Sequence, residues 1–198
     1  MNYSIYAEST PNPEVMKFVS NRMLADKSIE IQNLSEAKGI SIAEELFKFP
    51  FVKSIYLSAN FISITKDGEM EWGDIAMQLR VFIADYLNSE GIKNYTKNIP
   101  PQNIPESAKD HKKNVKHKRE FSEFEKKIEL ILNQYIAPAV EADGGAITLN
   151  YCENYKVYVD LKGACSGCPS ATSTLKGGIE ALLKQKVSPE IEVIANEK

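Results

Sequence analysis

The sequence predicts an α+β protein made of two small domains joined by a basic linker. Apolar residues recur in some segments at the two-residue spacing of strands and in others at the three- to four-residue spacing of helices. The charge also divides the chain, since residues 1–93 carry a formal net charge of −4, residues 94–119 of +5 and residues 120–198 of −4. We therefore assign residues 1–93 and 120–198 to folded domains and residues 94–119 to the linker.

The linker is predicted to be flexible because it contains three prolines and few apolar residues after Ile104. Such a segment cannot bury enough surface to offset the chain entropy lost on folding. Its basic run from Lys109 to Arg119 contains no aromatic residue that could stack on bases. We interpret the run as a solvated tether, and we expect no nucleic-acid partner. No apolar run approaches the roughly 20 residues of a membrane span, so we expect no membrane partner either.

The N-terminal domain is predicted to be a sheet with two helices. Alternating apolar residues indicate strands over residues 4–9, 15–20, 28–32, 53–57 and 61–66. A short helix is predicted over residues 42–47, and a longer helix places Ile75, Leu79, Ile83 and Leu87 on one face. This domain has no cysteine, histidine or glycine-rich phosphate loop, so we predict no catalytic site in it.

The C-terminal domain is predicted to have the order α-β-β-α-β. Apolar residues at helical spacing extend from Phe121 to Ala139, and strands are predicted over residues 146–152 and 156–161. We expect Ile147, Leu149 and Tyr151 to lie on one face of the first of these strands. Pro169 suits the first position of the second helix, and residues 191–194 form the last predicted strand.

The cysteine loop, Gly163-Ala164-Cys165-Ser166-Gly167-Cys168, separates the second strand from that helix. A Cys-x-x-Cys pair on a short loop can hold one metal atom or one cluster. Gly163 and Gly167 allow the backbone to turn tightly near a bulky inorganic group. The N-terminus of the helix directs N–H groups at the loop, so we expect the thiolate forms to be stabilised.

The pair itself is compatible with a redox disulfide, half of a zinc site, an iron–sulfur cluster site, or a chance occurrence with no function. Only 30 residues follow Cys168, which is too short for a thioredoxin-like fold. A closed zinc site needs four ligands, and the C-terminal domain offers no histidine and only Cys152 as a further thiol. We expect Cys152 to be structural or exposed. Two chains would supply four cysteines, enough for a cluster shared across a dimer axis.

The residues around the loop make a family resemblance specific. Glu141-Ala142-Asp143-Gly144-Gly145, the cysteine loop with Pro169-Ser170, and Thr174-Leu175-Lys176-Gly177-Gly178-Ile179-Glu180 resemble the C-terminal domain of NifU-like (Nfu-type) proteins. Thr10-Pro11-Asn12-Pro13, Met16-Lys17-Phe18 and Trp72 resemble the Nfu N-terminal domain.

The resemblance implies a scaffold or carrier, not an enzyme. It implies that Cys165 and Cys168 hold a labile 4Fe-4S cluster, that the loaded protein is a homodimer, and that apo iron–sulfur clients and the cluster assembly machinery are its partners. The alternative functions are a thiol–disulfide oxidoreductase using the same pair and a zinc-bridged interaction module.

The compartment predicted from the sequence is the cytoplasm. Three cysteines are a poor disulfide framework and favour a reducing environment. The first six residues, Met1 to Tyr6, lack a basic segment followed by an apolar stretch, so we expect neither a signal nor a transit peptide.

Overall fold

The computed structural model describes residues 2–89, 121–166 and 169–196 of the 198-residue chain. The predicted linker, residues 94–119, lies outside the described residues, as do Gly167 and Cys168. The α+β class with two domains is confirmed. None of the helices within the described ranges combines the length and the apolar character needed to cross a membrane.

The N-terminal domain is an antiparallel sheet covered on one face by helices. Its strand order is β1-β2-β5-β4-β3. The elements within residues 2–89 are β1 (Ile5–Ser9), β2 (Val15–Ser20), β3 (Ile29–Ile31), α1 (Ser41–Leu46), β4 (Val52–Ser58), β5 (Phe61–Lys66) and α2 (Trp72–Ser89).

The core of this domain follows from the two periodicities predicted for it. Helix α2 buries Ile75, Leu79, Ile83 and Leu87, which recur every four residues and so share one face. The strands contribute their alternate residues to the same core, Phe18 among them, which is fully buried. Because side chains alternate across a strand, the residues between these point to the opposite face of the sheet.

The C-terminal domain has the predicted α-β-β-α-β order, with a π-helical turn inside its first helix. Strands β6 and β7 are antiparallel, and β8 lies parallel to β7. The elements after residue 120 are α3 (Glu123–Ile131), a π-helix (Leu132–Ile136), α4 (Ala137–Ala142), β6 (Gly145–Glu153), β7 (Lys156–Gly163), α5 (Pro169–Lys186) and β8 (Glu192–Asn196).

Helix α3 begins with a capping box that also reaches strand β6. The Ser122 hydroxyl accepts from the Glu125 N–H, and the Glu125 carboxylate accepts from the Ser122 N–H. The same carboxylate accepts from the Cys152 N–H at 3.0 Å and is buried. Glu125 therefore stabilises the helix start and joins it to the sheet.

The predicted face of β6 is wrong at one residue. The register of β6 against β7 shifts between Leu149 and Tyr151, which marks a β-bulge. An extra residue in one strand moves the following side chains to the other face. Cys152 consequently packs against the core with Ile147 and Leu149, while Tyr151 stacks on Tyr158 with ring centroids 4.2 Å apart.

Helix α5 contains two adjacent glycines, Gly177 and Gly178, each of which costs about 1 kcal/mol relative to alanine in a helix interior. Close packing of a strand or of another subunit against the helix would explain them. A Cβ atom at either position would meet nothing within 4 Å in the described part of the chain. Packing of a strand within the described residues therefore does not explain them, and both glycines lie on an open surface of α5.

Candidate metal centre

The cysteine loop begins where β7 ends, and its first half is held by backbone hydrogen bonds. Gly163 has a φ of +61°, a conformation that disfavours residues with a Cβ atom. The Ser166 N–H and hydroxyl donate to the Gly163 carbonyl at 3.1 and 2.8 Å, and the Ala164 N–H donates to the Gly144 carbonyl at 3.2 Å. These bonds fix Cys165, whereas its predicted partner Cys168 lies outside the described residues.

Cys165 is buried, not exposed, in this arrangement. Only 8% of its surface is accessible, and its side chain packs with the core of the C-terminal domain. A Cβ atom at Gly145 would lie 2.7 Å from the Cys165 sulfur, so the glycine leaves the space that the sulfur uses. The Asp143-Gly144-Gly145 turn is therefore part of the site and not only a chain reversal.

Burial raises the pKa of the Cys165 thiol to about 11, and the negative charge of Asp143 adds to this rise. The expectation that the start of α5 stabilises the thiolate is wrong for Cys165. Moving a thiolate out of water costs more free energy than the partial charge of a helix N-terminus contributes in its favour. A helix terminus contributes only about 0.3–1 kcal/mol at most surface sites. Because its pKa is about 11, the Cys165 thiol is expected to keep its proton at neutral pH.

Cys152 lies at the far end of the β6–β7 hairpin from the cysteine loop. It pairs with Val157, whereas Gly145 pairs with Gly163 beside the loop. Gly145 and Cys152 are seven positions apart along β6, which corresponds to roughly 20 Å. This distance supports the interpretation of Cys152 as a structural residue. Within the described ranges, moreover, no three His, Cys, Asp or Glu side chains are grouped to hold a metal ion.

Residues of the N-terminal domain also contact this site, and these contacts were not predicted from the sequence. The Asn12 amide donates to the Ala164 and Ser166 carbonyls at 3.2 and 3.3 Å, on either side of Cys165. The Lys17 ammonium donates to the carbonyls of Glu141 and Ala142 at 3.1 and 2.9 Å.

Three further residues of the N-terminal sheet complete these contacts. The Ser63 hydroxyl donates to the Gly144 carbonyl at 2.6 Å, and the Glu30 carboxylate accepts from the Gly163 N–H at 3.2 Å. The Tyr56 ring also lies close enough to Gly163 that a Cβ atom there would be 2.9 Å from it. The sequence offered one signal for these contacts, since Asn12 and Lys17 each belong to a short motif that resembles the Nfu N-terminal domain.

The fold and the loop define a class of protein: two α+β domains, the second carrying a Cys-x-x-Cys segment between a strand and a helix. Comparison with known families then identifies it. The family described as scaffold protein Nfu/NifU N terminal matches residues 5–90, and the NifU-like domain family matches residues 128–194. The chain belongs to the NifU-like family of Nfu type, with both domains in the expected order.

Individual relatives agree over nearly the whole chain. The human protein named NFU1 iron-sulfur cluster scaffold homolog, mitochondrial, is 28% identical over 95% of this chain. The protein of the same name from Drosophila ananassae is 30% identical over 98% of it. The chain spans 69% of the first relative and 64% of the second. The solution structure of a NifU-like protein from Saccharomyces cerevisiae is 29% identical, covers 43% of this chain and 79% of its own, and has a TM-score of 0.40.

The predicted cytoplasmic location is contradicted by these relatives. The human and Drosophila proteins are named mitochondrial, and so is NifU-like protein 4 from Arabidopsis thaliana, which is 29% identical over 93% of this chain. The prediction was wrong because it used the cysteine count and the first six residues. A small, odd number of cysteines indicates a reducing environment but does not distinguish one reducing compartment from another.

Proposed function

We propose that this protein is an iron–sulfur cluster scaffold and carrier that holds a labile 4Fe-4S cluster as cargo on Cys165 and Cys168. The observation that carries the proposal is the Cys-x-x-Cys loop itself, placed between β7 and α5 in a domain that matches the NifU-like family. Thiolate sulfur is the ligand that iron–sulfur clusters use most. The names of the relatives, which call them iron–sulfur cluster scaffolds, support the same role.

The complete site is proposed to need two copies of the chain. One loop supplies two cysteines, and Cys152 lies roughly 20 Å away along the hairpin. A 4Fe-4S cluster has four iron atoms to ligate, so two loops related by a two-fold axis would provide the full set. The open surface at Gly177 and Gly178, on the helix that follows the loop, leaves room for another subunit to approach.

Transfer is proposed to proceed by ligand exchange and not by enzymatic chemistry on a small molecule. A client apo-protein brings its own cysteine thiolates, which replace Cys165 and Cys168 on the iron atoms one at a time. The departing cysteines take up protons, and the cluster keeps its charge and composition. Binding requires the reverse step, in which the thiol protons of both cysteines are released. Upstream assembly proteins are the proposed source of the cluster.

The test is anaerobic reconstitution with iron and sulfide, followed by native mass measurement of the intact assembly. We expect a brown homodimer with about two irons per chain. Cys165→Ser and Cys168→Ser together should abolish the cluster, while Cys152→Ser should retain it as the matched control.

Two results would contradict the proposal. A colourless protein with about one zinc per two chains would indicate a zinc-bridged module. Reversible formation of a Cys165–Cys168 disulfide with disulfide reductase activity would indicate an oxidoreductase.

A further inference from the structure

One polar row crosses the N-terminal sheet on the face opposite its helices. Lys17 in β2 is the cross-strand neighbour of Ser63 in β5, Ser63 is the neighbour of Tyr56 in β4, and Tyr56 is the neighbour of Glu30 in β3. Directly opposed residues of neighbouring strands share one face of a sheet. The four side chains therefore form a continuous line across four strands, which we call the latch row.

Within the residues that the structure describes, the hydrogen bonds from the latch row to the C-terminal domain all go to backbone atoms. Lys17 binds the last carbonyls of α4, Ser63 binds the Gly144 carbonyl, and Glu30 binds the Gly163 N–H. A positive charge at the carbonyl end of a helix is favourable. Because these hydrogen bonds go to backbone groups, the latch row recognises the path of the C-terminal backbone and not its side chains. That path consists of the end of α4, the glycine turn and the end of β7.

Asn12 extends this surface to the loop that carries Cys165. Its amide donates to the two carbonyls on either side of the cysteine, which uses both of its N–H groups. Its own oxygen accepts from the Glu14 N–H at 3.0 Å, and its backbone N–H donates to the Thr10 hydroxyl at 3.2 Å. The Asn12 side chain is thus held in position by hydrogen bonds within the turn of residues 10–14, independently of its bonds to the cysteine loop.

The burial of these polar groups indicates that the surface is built to be covered. Asn12 is 3% exposed, Ser63 is 1% exposed and Lys17 is 8% exposed. A buried ammonium group is costly unless hydrogen-bond partners replace the water that it loses. For Lys17 those partners are the Glu141 and Ala142 carbonyls, with the Phe61 ring 4.7 Å from its nitrogen and the Glu8 carboxylate 3.8 Å away.

We propose that the latch row and Asn12 form a docking surface for the cysteine-loop end of the chain's own C-terminal domain, and that the domains must separate before a cluster is loaded. In the docked state the loop carbonyls are tied on both sides of Cys165 while its sulfur faces Gly145 in the core. A cluster needs that sulfur on the surface, facing a second copy. The inference rests on the proposed function, and its consequence is that docking and cluster loading exclude each other.

The first experiment measures how fast Cys165 reacts. The chain has three cysteines, so Cys152→Ser with Cys168→Ser leaves Cys165 as the only thiol. Its alkylation by iodoacetamide is followed in the full metal-free chain by mass spectrometry. Asn12→Ala and Lys17→Met, each added separately, are expected to raise the rate about tenfold, the factor that follows from losing one or two hydrogen bonds of the docked state. Lys53→Met, at an exposed lysine of β4, is the control.

The second experiment follows cluster loading in chains with all three cysteines. Asn12→Ala and Lys17→Met should load faster than the wild type and than Lys53→Met. Circular dichroism identifies a variant that fails to fold. If Asn12→Ala or Lys17→Met fails, the other variant is compared with the wild type and with Lys53→Met. Alkylation rates equal to those of the control would overturn the docking surface, and faster alkylation without faster loading would overturn its effect on loading. If no variant acquires a cluster, the proposed function fails, while the alkylation rates still decide whether the domains dock.

Discussion

Replacing glycine by alanine at two positions of the C-terminal domain should change stability in opposite directions. At Gly163 the φ of +61° is unfavourable for alanine, and the added methyl group would lie 2.6 Å from the Gly144 carbonyl oxygen and 2.9 Å from the Tyr56 ring. The left-handed conformation alone costs about 1–2 kcal/mol. The carbonyl belongs to the backbone of a neighbouring turn and cannot move away freely, so the total should reach about 2–4 kcal/mol.

At Gly177 the same substitution meets open space within helix α5. Alanine is favoured over glycine in a helix interior by about 0.5–1 kcal/mol, because it restricts the unfolded chain. Gly177→Ala should therefore stabilise the metal-free protein. For a domain of this size, these changes correspond to a fall in Tm of roughly 10 °C or more for Gly163→Ala and a rise of about 4 °C for Gly177→Ala.

Urea unfolding of the two variants, followed by circular dichroism, measures both changes. The wild-type chain is the reference, and each variant is the other's control because the chemical change is identical. A Gly163→Ala variant as stable as the wild type would refute the tight contact between Gly163, Gly144 and Tyr56. A destabilised Gly177→Ala variant would show that the surface of α5 is covered in the metal-free chain.

Two further predictions concern buried groups of the C-terminal domain. The pKa of Cys165 is raised from 9.0 to about 11, so the unfolded chain loses this proton first as the pH rises. The stability due to the neutral thiol is fully present below pH 9 and is lost as the pH rises towards 11. Between pH 8 and pH 10 the wild type should lose about 1 kcal/mol more than Cys165→Ala, as measured by urea unfolding. Glu125→Ala removes a buried carboxylate that accepts from the Ser122 N–H and hydroxyl and from the Cys152 N–H, so it should cost about 2–4 kcal/mol in the same assay.

Each of these two predictions has a clear contradicting result. Equal pH dependence for the wild type and Cys165→Ala would mean that the thiol is not buried in solution. For Glu125, the matched control is Glu123→Ala, an exposed residue of the same helix turn, which should change stability by less than about 0.5 kcal/mol. Equal effects of the two alanine variants would exclude the bridge from the helix start to β6.

The sequence predictions were accurate where the interactions that determine a feature lie within one segment of the chain. The strand over residues 15–20 and the helix that begins at Pro169 agree with the structure because their signals, alternation and a helix-starting proline, lie within the segment itself. The prediction that Tyr151 shares a face with Ile147 and Leu149 was wrong, because a bulge depends on the partner strand and leaves no alternation signal of its own. The raised pKa of the Cys165 thiol was missed for a similar reason, since its burial in the domain core and its proximity to Asp143 arise only in the folded domain.

Periodicity, charge and motif spacing are properties of the chain, so they were enough to predict the two-domain α+β organisation, the family and the pair of candidate ligands. The surroundings of Cys165, in contrast, follow only from the folded chain. Asn12 and Cys165 are 153 positions apart in the sequence, and no local pattern encodes a hydrogen bond between an amide in one domain and the loop carbonyls of another. Backbone groups look alike in every sequence, so their recognition becomes visible only when the fold brings them together.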